Sequence, residues 1–133
     1  MQAACTLGEK NGHTACVDRE GQAWLWGASY KGKLGVESWS HSSQQIYSSP
    51  QALQVPEGEK VVKVLAGGIH SAALTNSGRL YTWGCGSNGR LGHPDFKGHV
   101  YLYKESYPKL LQVLANVSDA ASSYYAMAAI SNV

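Results

Sequence analysis

Gly84-Cys85-Gly86-Ser87-Asn88-Gly89 sets glycines at the spacing G-x-G-x-x-G behind a run of strand-forming residues. That arrangement lets a backbone turn approach a pyrophosphate closely. The same chemistry needs a helix to begin at once, because the amides of its first turn hold the phosphate. Here the next residues are Arg90-Leu91-Gly92-His93-Pro94, whose glycine and proline are unsuited to opening one. The related stretch Gly27-Ala28-Ser29-Tyr30-Lys31-Gly32 lacks the middle glycine altogether. Both segments therefore read as structural turns, and no cofactor is expected.

Other reactive side chains are no better grouped. His41, His93 and His99 have no ligand-like spacing with one another or with Cys5, Cys16 and Cys85, so no metal site is expected. No serine lies in a nucleophile elbow. Glu57 and Glu59 flank Gly58 in a polar turn, the usual place for solvated charge. No catalytic residue emerges, and the chain is not expected to be an enzyme in itself. The three cysteines contain no C-x-x-C pair and leave one thiol over if two were bridged, which favours a reducing compartment.

The 133 residues are 44% hydrophobic and 15% charged, values of a folded domain. A formal charge of +2, scattered along the chain, makes no basic stripe for a phosphate backbone, so nucleic acid is not expected from charge. No run approaches the roughly 20 apolar residues of a membrane helix. The first ten residues lack the apolar stretch of a signal peptide. An intracellular place, cytoplasmic or nuclear, is expected.

The elements that position these residues come from a repeat. Shifted by 57 residues, segment 11–35 matches segment 68–92 at eight of 25 ungapped positions. These include His13 with His70, Gly21 with Gly78, Trp26-Gly27 with Trp83-Gly84, and Gly35 with Gly92. Pro50-Gln51-Ala52-Leu53-Gln54-Val55 returns 58 residues later as Pro108-Lys109-Leu110-Leu111-Gln112-Val113. A third copy starts near Val117, with Ala129-Ile130-Ser131 under Ala73-Leu74-Thr75 at an offset of 56. The division is thus 1–56, 57–113 and 114–133, the last being the start of a repeat.

Each repeat spells short strands. Val61 to Ala66, Ser71 to Thr75 and Leu80 to Trp83 are apolar, aromatic or β-branched runs, and Gly21 and Gly78 sit where tight hairpins need positive φ. Leu110-Leu111-Gln112-Val113 is expected as a fourth strand, with Pro108 tolerated at a sheet edge. Four short antiparallel strands in about 57 residues describe a β-propeller blade. The fold class is all-β, an incomplete propeller. Trp26 and Trp83 are expected in the blade core, and Trp24 and Tyr81 on the opposite strand face, filling the gap to the next blade. The repeated His13 and His70 are expected to bond a buried carbonyl inside each blade.

Ala66-Gly67-Gly68-Ile69-His70-Ser71-Ala72-Ala73-Leu74-Thr75, followed by Gly78-Arg79-Leu80-Tyr81-Thr82-Trp83-Gly84 and Asn88-Gly89-Arg90-Leu91-Gly92-His93, resembles one repeat of the regulator of chromosome condensation family. The first repeat keeps the histidine, tryptophan and glycine positions but has Gly8-Glu9-Lys10-Asn11 before them. The third has Ser122-Ser123 and Ala126 in place of Gly67-Gly68 and His70. The resemblance implies a propeller of more blades than this chain holds, with the missing blades supplied by the rest of a longer chain or by other chains. It also implies a protein partner. The chain would be a scaffold module or, alternatively, part of a guanine nucleotide exchange factor for a Ran-like small GTPase.

Residues 36–49 and 93–107 depart from the repeat yet leave and re-enter it at equivalent points, so they emerge on one face. They carry Trp39 and Tyr47 in the first, and Lys97, Tyr101, Tyr103, Lys104 and Tyr107 in the second. Aromatic groups beside cations suit a protein contact. As alternatives, the two segments are spacers, or residues 100–103 add a strand.

Overall fold

Strand-forming runs separated by glycine turns have only one way to pair their backbone groups when the connections are this short, and that is antiparallel with the next run. In the computed structural model of the chain, which describes residues 2–6, 12–36, 45–93 and 104–132, they do so. The first sheet contains β1 (Gln2–Thr6), β2 (His13–Val17), β3 (Ala23–Ala28) and β4 (Ile46–Ala52), in that order. The second contains β5 (Val61–Ala66), β6 (His70–Thr75), β7 (Leu80–Cys85) and β8 (Lys104–Leu110), also in sequence order. A third unit pairs β9 (Val117–Ser122) with β10 (Met127–Ser131). These are propeller blades, two of four strands and one of two.

Registers repeat between the blades. His13 lies opposite Gly27 in the first, and His70 opposite Gly84 in the second. The β2–β3 turn closes with the Gly21 amide donating to the Asp18 carbonyl at 3.2 Å, and the β6–β7 turn with the Gly78 amide donating to that of Thr75 at 3.1 Å. Both glycines have the positive φ foreseen, +86° and +78°.

A single twisted sheet buries neither face by itself, so the core forms between blades. One cluster joins Val17, Leu25 and Leu34 of the first blade to Val64, Tyr81 and Trp83 of the second. Another joins Leu74, Leu80 and Leu111 of the second blade to Val117 and Ala120 of the third unit. Every residue of β6 and β7 is buried, because the second blade has a neighbour on each side. β3 alternates instead: Ala23 and Leu25 are fully buried, whereas Trp24 and Trp26 on the other face are only half-buried.

The strand faces and the fourth strand differ from expectation. Side chains two apart on a strand share a face. Tyr81 and Trp83 accordingly lie together in the gap between the two blades, and Trp24 and Trp26 lie together on the outer face of the first. The fourth strand of the second blade is Lys104–Leu110, ending where the apolar run was expected to begin. It is an outer strand with mostly polar side chains, so apolar periodicity does not mark it. Beyond it Leu111 donates its amide to the Leu80 carbonyl and buries, while Val113 is 75% exposed. Pro108 does sit in this edge strand, as Pro50 sits in β4.

Candidate functional site

After β3 and β7 the chain makes the same short 3-10 turn, at Tyr30–Gly32 and Ser87–Gly89. The backbones superimpose angle by angle: φ is 58° at Lys31 and 64° at Asn88, 73° at both Gly32 and Gly89, and 72° and 74° at Gly35 and Gly92. In the second turn the Gly89 and Gly92 amides donate to the Gly86 and Gly89 carbonyls. The G-x-G-x-x-G segment thus closes on itself over three residues.

The first turn faces the second blade. Trp83, fully buried, lays its indole against Gly35, where an added Cβ would come within 3 Å of three indole atoms. Its Nε1–H donates to the Lys33 carbonyl at 3.1 Å. The same carbonyl accepts the Ser71 hydroxyl at 2.5 Å. Ser71 Oγ lies 2.7 Å from His13 Nε2. A serine hydroxyl has one proton, which here goes to the carbonyl, so His13 Nε2 carries the hydrogen and donates it to Ser71. The expected histidine–carbonyl bond is therefore made through a serine of the next blade. The Gln2 side chain adds a two-way bond to the Val64 backbone, accepting its N–H at 2.7 Å and donating to its C=O at 3.0 Å.

His13 Nδ1 has no partner among the described residues, and the ring is closed off from water. Burial, with the charges of Lys33 and His70 adding to it, lowers its pKa from 6.5 to about 3. The equivalent His70 faces the third unit, where Met127 takes the position of Ser71. Among the described residues neither of its ring nitrogens has a well-formed hydrogen bond. Burial first and the Arg90 charge second bring its pKa down to about 4, against a smaller opposing pull from the Ala126 backbone. His93 Nε2 lies 2.7 Å from Thr82 Oγ1, whose hydroxyl donates to the Leu91 carbonyl. Burial lowers the His93 pKa as well.

The aromatic candidates are only partly assembled. Trp39, Lys97, Tyr101 and Tyr103 lie outside the described residues. Tyr47, on β4 opposite Gly27, is half-buried and packs against the core between the blades, so it serves packing as much as contact. Lys104 begins β8 opposite Cys85 and is exposed; Tyr107, further along, is 49% exposed. Ile46, the β4 counterpart of Lys104, is 71% exposed. The first loop re-enters its blade beside the first turn, with the Ser29 amide donating to Gln45 and Ile46 opposite Ala28. The second re-enters at the same place, with Lys104 opposite Cys85. Ser71 and Gln2 carry no signal in the sequence, being of unremarkable type with partners 38 and 62 residues away.

Among the described residues Cys16 and Cys85 are free thiols, and no three His, Cys, Asp or Glu side chains gather. No helix among them is long and apolar enough to cross a membrane.

The sequence profile of the Regulator of chromosome condensation (RCC1) repeat matches residues 20–74 and 77–130, and a second RCC1 repeat profile matches residues 61–90. The chain belongs to the RCC1 repeat family. Each longer match takes its first two strands from one sheet and the remainder from the next, so the RCC1 sequence repeat spans the gap between blades. The human E3 ubiquitin-protein ligase HERC2 is 38% identical over 102 residues, covering 77% of this chain and 2% of HERC2. Human alsin is 36% identical over 75 residues, covering 56% of this chain and 4% of alsin. The chain thus corresponds to a small part of these relatives. Among solved structures, yeast RCC1 (Prp20) bound to Kap60 aligns over 96% of this chain and 29% of its own, with a TM-score of 0.77 and 21% identity. Human WBSCR16 aligns over 96% and 30%, with a TM-score of 0.70 and 20% identity. These likenesses are of fold, that of an RCC1 propeller.

Proposed function

We propose that this chain is a protein-binding scaffold module, a part of an RCC1-type propeller completed by the rest of a longer chain or by other chains, and that it works inside the cell without covalent chemistry of its own. The repeats divide as 1–56, 57–113 and 114–133. The observation that carries this reading is the coincidence of the two loop re-entry points. Ile46 opposite Ala28 and Lys104 opposite Cys85 are equivalent positions of neighbouring blades, which supports the reading that the two unlike, aromatic-bearing segments before them are presented on one face. A rigid scaffold that presents variable segments on one face is the arrangement by which loops gain binding roles. Trp39, Tyr101 and Tyr103 are the anchors of this contact, and Tyr47, Lys97, Lys104 and Tyr107 border it.

A second reading, guanine nucleotide exchange on a Ran-like small GTPase, draws support from the fold likeness to yeast Prp20, which has been studied for binding to Gsp1p and histones. One pair of assays separates the two. The chain is immobilised to capture protein partners, and in parallel is added to Ran loaded with a fluorescent guanine nucleotide. The scaffold reading expects capture to fall by roughly tenfold when Trp39, Tyr101 and Tyr103 are replaced by Ala, an anchor loss of at least about 1.4 kcal/mol. It expects nucleotide release to be unaltered by the chain. Capture unaffected by the triple substitution refutes the loop-face assignment, and accelerated release moves the function to exchange.

A further inference from the structure

We propose that Ser49 is a phosphorylation site, presented by the folded chain on a bulge in the outermost strand of the first blade to a proline-directed serine/threonine kinase. The site does not depend on which partner the loop face binds.

β4 does not follow β3 evenly. Leu25 lies opposite Gln51 and Gly27 opposite Tyr47, so one residue of β3, Trp26, faces three of β4, Ser48, Ser49 and Pro50. β8 repeats the irregularity: between the Thr82–Lys109 and Gly84–Glu105 pairs, Trp83 faces Ser106, Tyr107 and Pro108. The extra residues of a bulge are left out of the ladder, and a proline, which has no N–H to give it, is tolerated there. Ser48, Ser49 and Pro50 are all exposed, and among the described residues no strand pairs with the other edge of β4. This rim stays open when a blade has neighbours on both sides, because Tyr107, at the same bulge position in the second blade, is 49% exposed.

Ser49 is the only serine or threonine of the 133 residues that precedes a proline. Pro50 holds it in extended backbone, the form in which a kinase cleft takes its substrate. The proline also offers no N–H that the cleft would have to satisfy, so a kinase with an apolar pocket at that position selects it. The Ser49 hydroxyl is uncommitted. Gln51 Nε2 bonds the Ser49 carbonyl at 3.0 Å and reaches its Oγ only at 3.4 Å, and no described acceptor takes the hydroxyl proton. By contrast, Ser77 donates to the Glu59 carboxylate, Ser118 to the Ile130 carbonyl and Ser131 to the Ala115 carbonyl.

In the transfer, Ser49 Oγ bonds to the γ-phosphorus of the kinase's Mg-bound ATP as the bond from that phosphorus to the β,γ-bridging oxygen breaks. ADP leaves, and the hydroxyl proton passes to the carboxylate base of the kinase and on to water. The product carries about two negative charges at the rim, taking the formal charge of +2 to about zero without disturbing a buried group.

The test incubates the folded 133-residue chain with Mg-ATP and, in separate arms, a mitogen-activated and a cyclin-dependent kinase, and maps the product by fragmentation mass spectrometry. One phosphoryl group per chain is expected, on Ser49, with none on Ser49→Ala and a rate lower on the order of tenfold or more for Pro50→Ala. Tyr107→Ser, which builds the same Ser-Pro bulge in the second blade, gains a second phosphoryl group. Ser71→Ala, whose unfolded fraction rises on the order of tenfold, is labelled at Ser49 at an unchanged rate. No incorporation with either kinase, labelling at residues other than Ser49, an equal rate for Pro50→Ala, or Tyr107→Ser left without a second group overturns the proposal. So does faster labelling of Ser71→Ala, which would put the acceptor in the unfolded chain and not on the bulge.

Discussion

Replacing Trp83 and Trp26 by Ala, one at a time, distinguishes a core built between blades from one built within them. The two residues are repeat equivalents, in the same strand position with the same glycine after them. Trp83 is fully buried against the preceding blade, whereas Trp26 is half-buried on a face that no other described blade covers. Truncating a buried tryptophan costs about 3–5 kcal/mol. At Trp83 the lost hydrogen bond adds little, because the Lys33 carbonyl keeps the Ser71 hydroxyl. A total of about 4 kcal/mol is expected, a large share of the 5–15 kcal/mol that typically holds a domain together. Trp26 leaves no enclosed cavity and has about half the area to lose, so about 1–2 kcal/mol is expected. Urea unfolding followed by circular dichroism measures both, and the midpoints of the two variants should differ by an amount equivalent to roughly 2–3 kcal/mol. Equal losses would refute the reasoning, since they would mean that each indole stabilises its own blade and owes nothing to the neighbour.

Ser71→Ala leaves the His13 Nε2–H buried without an acceptor, and a cost of about 1–3 kcal/mol in urea unfolding is expected; a change below about 0.5 kcal/mol would contradict the bridging role. Acid should weaken the fold through the histidines. His13 and His70 have folded-state pKa values of about 3 and about 4, below their ordinary 6.5, so the unfolded chain binds the extra protons first. Their stabilising effect is complete above pH 6.5 and is lost as pH falls from there toward 4 and 3, at about 1.4 kcal/mol per unit for each ring. The carboxylates whose pKa is lowered, Asp18, Glu59 and Asp119, titrate below this range in the unfolded chain, so the loss between pH 6.5 and 5 belongs to the histidines. A urea midpoint that stays flat from pH 7 to pH 5 rules this out. Asp119→Asn removes an exposed ion pair with Lys63 and should leave the midpoint almost unmoved, because such pairs are screened by water and salt.

How much of this was legible in the sequence depended on whether a residue's neighbours were near in the chain. β6 and β7 announced themselves because strands buried on both faces read as continuous apolar runs, and β5 because Val61, Val64 and Leu65 bury within a β-branched run although Val62 is exposed. β1 (Gln2–Thr6) and β8 (Lys104–Leu110) did not, since an inner strand of Gln, Ala, Ala, Cys and Thr and an outer one of Lys, Glu, Ser, Tyr and Pro have no such signature. The repeated glycines of the turns were legible for a local reason, their backbone angles. The contrast between Trp26 and Trp83 was not, because identical residues in identical strands differ only in what lies across the gap. The same holds at His13 and His70: the histidine repeats, but the serine that accepts its hydrogen bond is on the next blade and becomes Met127 in the third unit. The candidate contact residues were chosen from composition, and the fold adds that Tyr47 packs inward while Lys104 and Tyr107 remain outside.

Native-state hydrogen exchange on the 133 residues tests most directly the claim that the blades exist as one body because their core lies between them. Amides of β2, β3, β5, β6 and β7 should open together with the free energy of global unfolding, and those of β10, paired on one side only, should exchange faster. Separate opening of β1–β4 and β5–β8, each with its own free energy, would contradict it.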